Sequence, residues 1–103
     1  MTIRTSRPHD EAVVEMLKAD PEFANEYLAV ALDQADQPGG QQALLGALRL
    51  IAEAQGMSAV AERAGISRES LYRALSPRGN PTLKTWLAVL NATGLHLSVV
   101  RPR

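Results

Sequence analysis

Cysteine is absent from this 103-residue chain, which excludes disulfide bonds, thiolate metal ligands and a cysteine nucleophile. Aromatic residues are few, with one tryptophan, two tyrosines and one phenylalanine, whereas 46% of all residues are hydrophobic. This composition is typical of an aliphatic helical domain rather than a β-sandwich. No apolar run approaches the roughly 20 residues that a membrane span needs, and no signal-peptide pattern is present. We therefore expect a single cytoplasmic domain that does not associate with a membrane.

The groupings of residues that mark an enzyme are also missing. The two histidines, His9 and His96, are far apart in sequence, and neither has a carboxylate or cysteine at metal-ligand spacing. The segment "RGNPT" lacks the lysine and the spacing of a phosphate-binding loop. We expect no enzyme activity, no metal and no cofactor.

The formal net charge is zero, but the charges are divided unevenly along the chain. Residues 1–40 carry three basic and eight acidic side chains, a net charge of −5, and residues 41–103 carry eight basic and three acidic ones, a net charge of +5. The asymmetry indicates either two partners of opposite charge or two halves that neutralise each other by packing. The break at "QPGG", residues 37–40, predicts an acidic helical N-terminal arm or subdomain over 1–40 and the main domain over 41–103.

Helical patterns occupy most of the chain, and they predict an all-α fold of five to six helices. In "DPEFANEYLAVALDQAD" Asp20 is the expected N-cap and Pro21 the first helical residue. In "NPTLKTWLAVLNATG" Asn80 and Pro81 take the same roles, and Gly94 ends the helix. The buried face of that last helix is predicted to comprise Leu83, Trp86, Leu87 and Leu90.

The tail "LHLSVV" changes to a two-residue period, which predicts a short C-terminal β-strand. Leu95, Leu97 and Val99 fall on one face of this strand. A single strand needs a partner for its backbone groups. The partner is the N-terminal "TIRT", a second copy of the chain or another protein. If it is a second copy, these three residues form a dimer seam.

The segment "MSAVAERAGISRESLYRALS", residues 57–76, has the spacing of a helix-turn-helix. Ala61 is small where the second helix crosses, Gly65 suits a positive φ in the turn, and Ser67 caps the second helix. Val60, Ile66, Leu71 and Ala74 are expected to lock the two helices together. The alternative is a purely structural helix pair, since such pairs also occur in proteins that bind nothing.

If this pair binds DNA, the outer face of its second helix enters the major groove, where arginine can bind guanine. The residues expected to face the bases are Arg68, Glu69, Tyr72 and Arg73. The residues expected to contact phosphates are Ser58, Ser67, Ser76, Arg78 and Asn80.

From about Asp20 to Val99 the chain closely resembles the probable addiction-module antidote family, the HigA-like antitoxins with a phage-repressor type of helix-turn-helix. The most specific matching segments are "ISRESLYRALSPRGNPTLKT" and "ATGLHLSV". The resemblance implies a phage-repressor-like bundle that binds a small basic toxin of the RelE/HigB type. It also implies a homodimer that represses its own operon by binding double-stranded operator DNA through Ser67, Arg68, Glu69, Arg73 and Arg78.

Two other functions stay open on the sequence alone. The chain is a stand-alone helix-turn-helix repressor without a toxin, or a protein-interaction module that does not bind DNA. The presence of a basic toxin gene beside this one distinguishes an antitoxin from a stand-alone repressor. Salt-dependent binding to duplex DNA excludes the protein-interaction module.

Overall fold

A computed structural model describes residues 8–101, and its regular structure consists of helices. The prediction of an all-α fold is confirmed, and the described residues contain six helices. They are α1 (Pro8–Ala19), α2 (Phe23–Asp33), α3 (Gly40–Gln55), α4 (Met57–Ala64), α5 (Arg68–Ala74) and α6 (Leu83–Ala92).

Helix α3 is the central element of the packing. Both α1 and α2 pack against it, and α4 leaves its end at a bend of 108° and packs against α5 and α6. The core is continuous, because every helix contributes at least one buried apolar side chain to the same cluster. The largest side chains that are almost fully buried are Leu48, Ile51, Val60, Leu71, Leu75, Val89 and Leu90.

Three glycines with positive φ follow helix ends, and the predicted roles of Gly65 and Gly94 are confirmed. Gly56 ends α3 with a φ of 102°, Gly65 ends α4 with a φ of 77°, and Gly94 follows α6 with a φ of 91°. Glycine adopts these left-handed values without the steric cost that a β-carbon would add. Ser67 is confirmed as the N-cap of α5, since its Oγ accepts a hydrogen bond from the backbone N–H of Ser70 at 3.0 Å.

Two predicted N-caps are wrong by two residues each. Asp20 precedes a turn that uses its backbone carbonyl, and α2 begins at Phe23 with Glu22 at the cap position and no side-chain cap. Thr82 rather than Asn80 caps α6, because its Oγ1 accepts from the N–H of Thr85 at 3.1 Å. At α6 a capping oxygen next to the first helical turn thus replaces one that lies further upstream.

The predicted buried face of α6 needs one correction. Trp86 and Leu90 are buried and Leu87 is partly buried, but Leu83 is 69% exposed. Leu83 is the first residue of α6, at the edge of the bundle. Helical spacing places Leu83 on the same side of α6 as Trp86 and Leu90, but no neighbouring helix covers the first turn of α6.

The predicted C-terminal β-strand is not seen. Residues 95–101 have no regular secondary structure in the described chain, and Leu97 and Val99 are 44% and 96% exposed. A strand exists only where a second strand completes its hydrogen-bond ladder, and this segment has none within residues 8–101. The proposed intramolecular partner "TIRT" lies outside the described residues.

No single helix in residues 8–101 is long and apolar enough to cross a membrane. Helices α3 and α4 reach the required length and composition only as a pair, and Gly56 separates them at the sharp bend.

Two glycines without positive φ are expected to respond oppositely to alanine. A β-carbon at Gly79 would collide with the backbone carbonyls of Arg73 and Ala74, whereas one at Gly46, inside α3, meets nothing within 4 Å. Gly79→Ala should therefore lower the free energy of unfolding by about 1–2 kcal/mol. Gly46→Ala should raise it by about 0.5–1 kcal/mol, because alanine favours a helix interior. Urea unfolding followed by circular dichroism measures both, and equal effects would contradict the packing around Gly79.

Candidate nucleic-acid interface

Helices α4 and α5 are joined by a tight turn over residues 65–67. The N–H of Gly65 donates to the carbonyl of Glu62, and the N–H of Ile66 donates to the carbonyl of Ala61, both at 3.1 Å. Ala61 is 2% exposed, as expected for the position where α5 crosses α4 closely. Leu71 is the buried residue of α5. This short helix is therefore held by one face and leaves the opposite face open.

The four residues predicted to face DNA bases lie together on that open face. Arg68, Glu69, Tyr72 and Arg73 are all exposed. The Arg68 guanidinium lies 5.4 Å from the centre of the Tyr72 ring, and its Nη2 is 3.5 Å from the Tyr72 hydroxyl. This i to i+4 cation–π contact keeps Arg68 extended along the helix surface.

The residues predicted to contact phosphates differ in how free they are. Ser58, Arg78 and Asn80 are exposed, and Asn80 is not engaged as a helix cap. The Ser67 Oγ accepts the capping bond and donates to the Ser70 Oγ at 2.9 Å, and the Ser76 Oγ donates to the carbonyl of Arg73 at 2.9 Å. The two bonded serines thus have structural roles, whereas the other three side chains are available to a ligand.

Two arginines of the basic half hold the fold together. Arg49 lies 3.7 Å from a carboxylate oxygen of Asp10 and 3.6 Å from one of Glu53. This pair of contacts connects α3 to α1, and all three side chains are largely buried. Arg49 is thus held by these contacts within the fold and is not free to bind a partner.

Arg63 connects the ends of three helices. Its Nε donates to the carbonyl of Ala92 at 2.8 Å and its Nη2 to the Gln55 Oε1 at 3.0 Å, while the Gln55 Nε2 donates to the carbonyl of Thr93 at 2.8 Å. These bonds satisfy carbonyls at the C-terminal end of α6 that lack helical partners. The sequence does not distinguish this arginine from those of α5, because its acceptors, the Ala92 carbonyl and the Gln55 side chain, lie 29 and 8 residues away along the chain.

Four exposed basic side chains lie on α5, on the loop that follows it and on the first turn of α6. Within residues 8–101, no ion pair involves Arg68, Arg73, Arg78 or Lys84. Lys84 was not among the predicted contacts. Its exposed position in the first turn of α6, close to the loop of Arg78, was already indicated by the "PTLK" sequence. We refer to these four residues as the basic surface.

The two histidines and the predicted dimer-strand residues belong to other parts of the chain. His9 is exposed on α1, and His96 is exposed in the C-terminal segment. The described part of the chain contains no group of three potential metal ligands. Leu95 is partly buried against the core, while Leu97 and Val99 project from a segment that has no strand partner.

Comparison with known proteins gives one family. Residues 12–101 match the model of a family described as "Probable addiction module antidote protein". An uncharacterized protein of Haemophilus influenzae is 41% identical over 80 residues, which cover 78% of this chain and 82% of the relative. No solved structure matches the chain significantly. Since the match extends over nearly all the described residues, the chain belongs to the family of probable addiction module antidote proteins.

Proposed function

We propose that this protein is the antitoxin of a toxin–antitoxin pair, and that it represses its own operon as a sequence-specific DNA-binding dimer. Membership of the antidote family supports the antitoxin role. The observation that carries the DNA-binding part is the basic surface, where four cations have no ion-pair partner in the described chain while Arg49 and Arg63 are held in the fold. Unpaired cations on an exposed helix face are suited to DNA.

The proposed mechanism places α5 in the major groove as the second helix of a helix-turn-helix. Arg68 and Arg73 then bind guanine edges, Glu69 accepts from a cytosine amino group, and Tyr72 orients Arg68. Arg78, Lys84 and Asn80 contact the phosphates on one side of the groove, and Ser58 contacts them on the other. Phosphate contacts supply affinity, and the arginines of α5 supply base preference.

Repression requires a dimer in this proposal, because one α5 makes few contacts with DNA. Residues 95–100 are the proposed seam, pairing with the same segment of a second copy. The exposure of Leu97, Val99 and Val100 supports this assignment. A two-fold dimer presents its recognition helices to half-sites about 34–36 Å apart.

The acidic half is proposed to bind the toxin, which we expect to be a small basic protein. A stand-alone repressor is the alternative, in which α1 and α2 serve packing alone. In neither case does the chain act as an enzyme, and no cofactor is required.

Fluorescence anisotropy tests the proposal directly. The full chain is titrated onto a labelled duplex from its own upstream region and onto a scrambled duplex, each at two salt concentrations. We expect preferential binding to the native duplex that weakens steeply with salt, as counterions released from the phosphates require. Equal, salt-independent binding to both duplexes would leave α4 and α5 as a structural pair.

A further inference from the structure

A second exposed surface lies on α2, which packs against α1 and α3. We propose that the groove between α2 and the start of α3 is the docking site for a basic segment of the partner protein, in which apolar side chains are flanked by lysine or arginine. The proposal rests on the antitoxin function above and specifies where the toxin binds and with what chemistry.

The groove has an apolar floor. It encloses about 400 Å³ and is lined mainly by Phe23, Tyr27, Val30 and Ala31 of α2 and by Ala43 and Ala47 of α3. Phe23, Tyr27 and Ala31 are four residues apart, and Val30 lies three residues after Tyr27. These spacings place the four side chains in a stripe along one side of α2. This stripe is distinct from the core positions of α2, Ala24 and Leu28.

The apolar stripe is incompletely covered. Val30 is 57% exposed, and Phe23 and Tyr27 are partly buried with ring centroids 5.7 Å apart. Burial raises the pKa of the Tyr27 phenol above its ordinary value, an effect to which Asp10 adds and which Arg49 opposes. The floor of the groove therefore offers uncharged aromatic and aliphatic area.

An acidic stripe borders this floor. Glu22, Glu26 and Asp33 are separated by four and seven residues, which places them along one line on α2 beside Val30, and Glu26 itself lines the groove. None of the three takes part in an ion pair within residues 8–101. Lys18, the lysine of α1, is engaged with Glu15 at 3.5 Å.

Charge complementarity selects the occupant. An unneutralised acidic border next to an apolar floor favours a segment that places lysine or arginine beside its apolar contacts. A second copy of this chain is disfavoured, because a two-fold interface at this groove would bring two acidic stripes together. The partner is therefore a different, basic protein.

Two matched pairs of full-length variants test the groove. Val30→Glu is compared with Met16→Glu, which changes a similarly exposed apolar residue, 51% exposed, on α1. Glu26→Lys is compared with Glu62→Lys, which reverses an exposed carboxylate on α4. Circular dichroism establishes that each variant is folded, and sedimentation measures its oligomeric state.

Two probes are titrated against each variant by calorimetry. One is the purified protein encoded beside this gene, and the other is a synthetic amphipathic helix of leucine and lysine, with a glutamate-for-lysine peptide as control. We expect Val30→Glu to weaken binding about tenfold even though it adds negative charge, because it removes an apolar contact. Glu26→Lys should weaken binding about tenfold at low salt and less at high salt. Met16→Glu and Glu62→Lys should change it less than about twofold.

The outcomes separate this proposal from the antitoxin function. If the adjacent gene's product binds the wild type and both groove variants equally, the groove is not its docking site, and the antitoxin function stands. If that protein does not bind the wild type, the toxin assignment fails, and the peptide then decides the groove. Weaker peptide binding by the groove variants alone supports the proposed docking site. Equal peptide binding by the wild type and the groove variants overturns it. A groove variant that converts a dimer to a monomer also overturns it, because the groove would then be a self-interface.

Discussion

Leu71→Ala is expected to lower the free energy of unfolding by about 2–5 kcal/mol. Leu71 is 0% exposed and is the buried residue of α5, so its truncation leaves a cavity between α4 and α5 that this short helix cannot fill. Urea unfolding followed by circular dichroism and by the fluorescence of Trp86 measures the loss. We further expect binding to the native duplex to be lost under conditions where the variant is still helical, because α5 would no longer be held in place.

The matched control for this prediction is Leu83→Ala. Leu83 is 69% exposed, so its truncation removes little buried surface and should change stability by less than about 0.5 kcal/mol. Similar losses for the two leucines, or a loss below about 1 kcal/mol for Leu71→Ala, would contradict the packing of α5 described above.

Arg73→Ala is expected to weaken binding to the native duplex by about 1–3 kcal/mol and to relax base preference at one position of the site. Arg73 is exposed on the outer face of α5 and makes no ion pair in the described chain, so its removal leaves the fold intact. Anisotropy titrations against duplexes carrying each base at that position measure both effects.

Arg78→Ala is the control because this side chain is assigned to phosphate. It should weaken binding to all sequences alike and reduce the slope of affinity against salt by about one unit. If Arg73→Ala leaves affinity and preference unchanged, α5 is not the base-reading element. If Arg73→Ala and Arg78→Ala behave identically, both contact the backbone, and base recognition lies elsewhere.

Local sequence signals predicted the helices well, because each reflects a requirement within a few residues. Gly56, Gly65 and Gly94 end helices with backbone angles that glycine favours, and Ser67 caps α5 through a hydrogen bond to a residue three positions on. Such signals fail where two candidates compete. Asn80 and Thr82 can both cap a helix, and the distance to the first helical turn decides between them.

Long-range relations were beyond the sequence. The two-residue period of residues 95–100 indicates a preference for extended backbone, but it cannot supply the second strand. Arg63 and Arg73 are each followed by alanine near the end of a short helix, yet Arg63 donates to the carbonyl of Ala92, whereas Arg73 has no ion pair within residues 8–101. The candidate DNA-facing residues of α5 were predicted together, because helical spacing alone places them on one face. Lys84 was missed, because it lies on α6, outside the predicted helix pair.

The position of α3 between the two exposed surfaces has an evolutionary consequence. The groove belongs to α2 and the start of α3, and the basic surface belongs to α5, α6 and the loop between them, so the two surfaces have no residue in common. Helices α1 and α2 reach the rest of the molecule mainly through α3. Mutations can therefore accumulate on one surface while the other keeps its shape. If the two surfaces bind DNA and a toxin as proposed, related chains can diverge in one recognition property at a time, and paralogous pairs in a single genome can become insulated from one another.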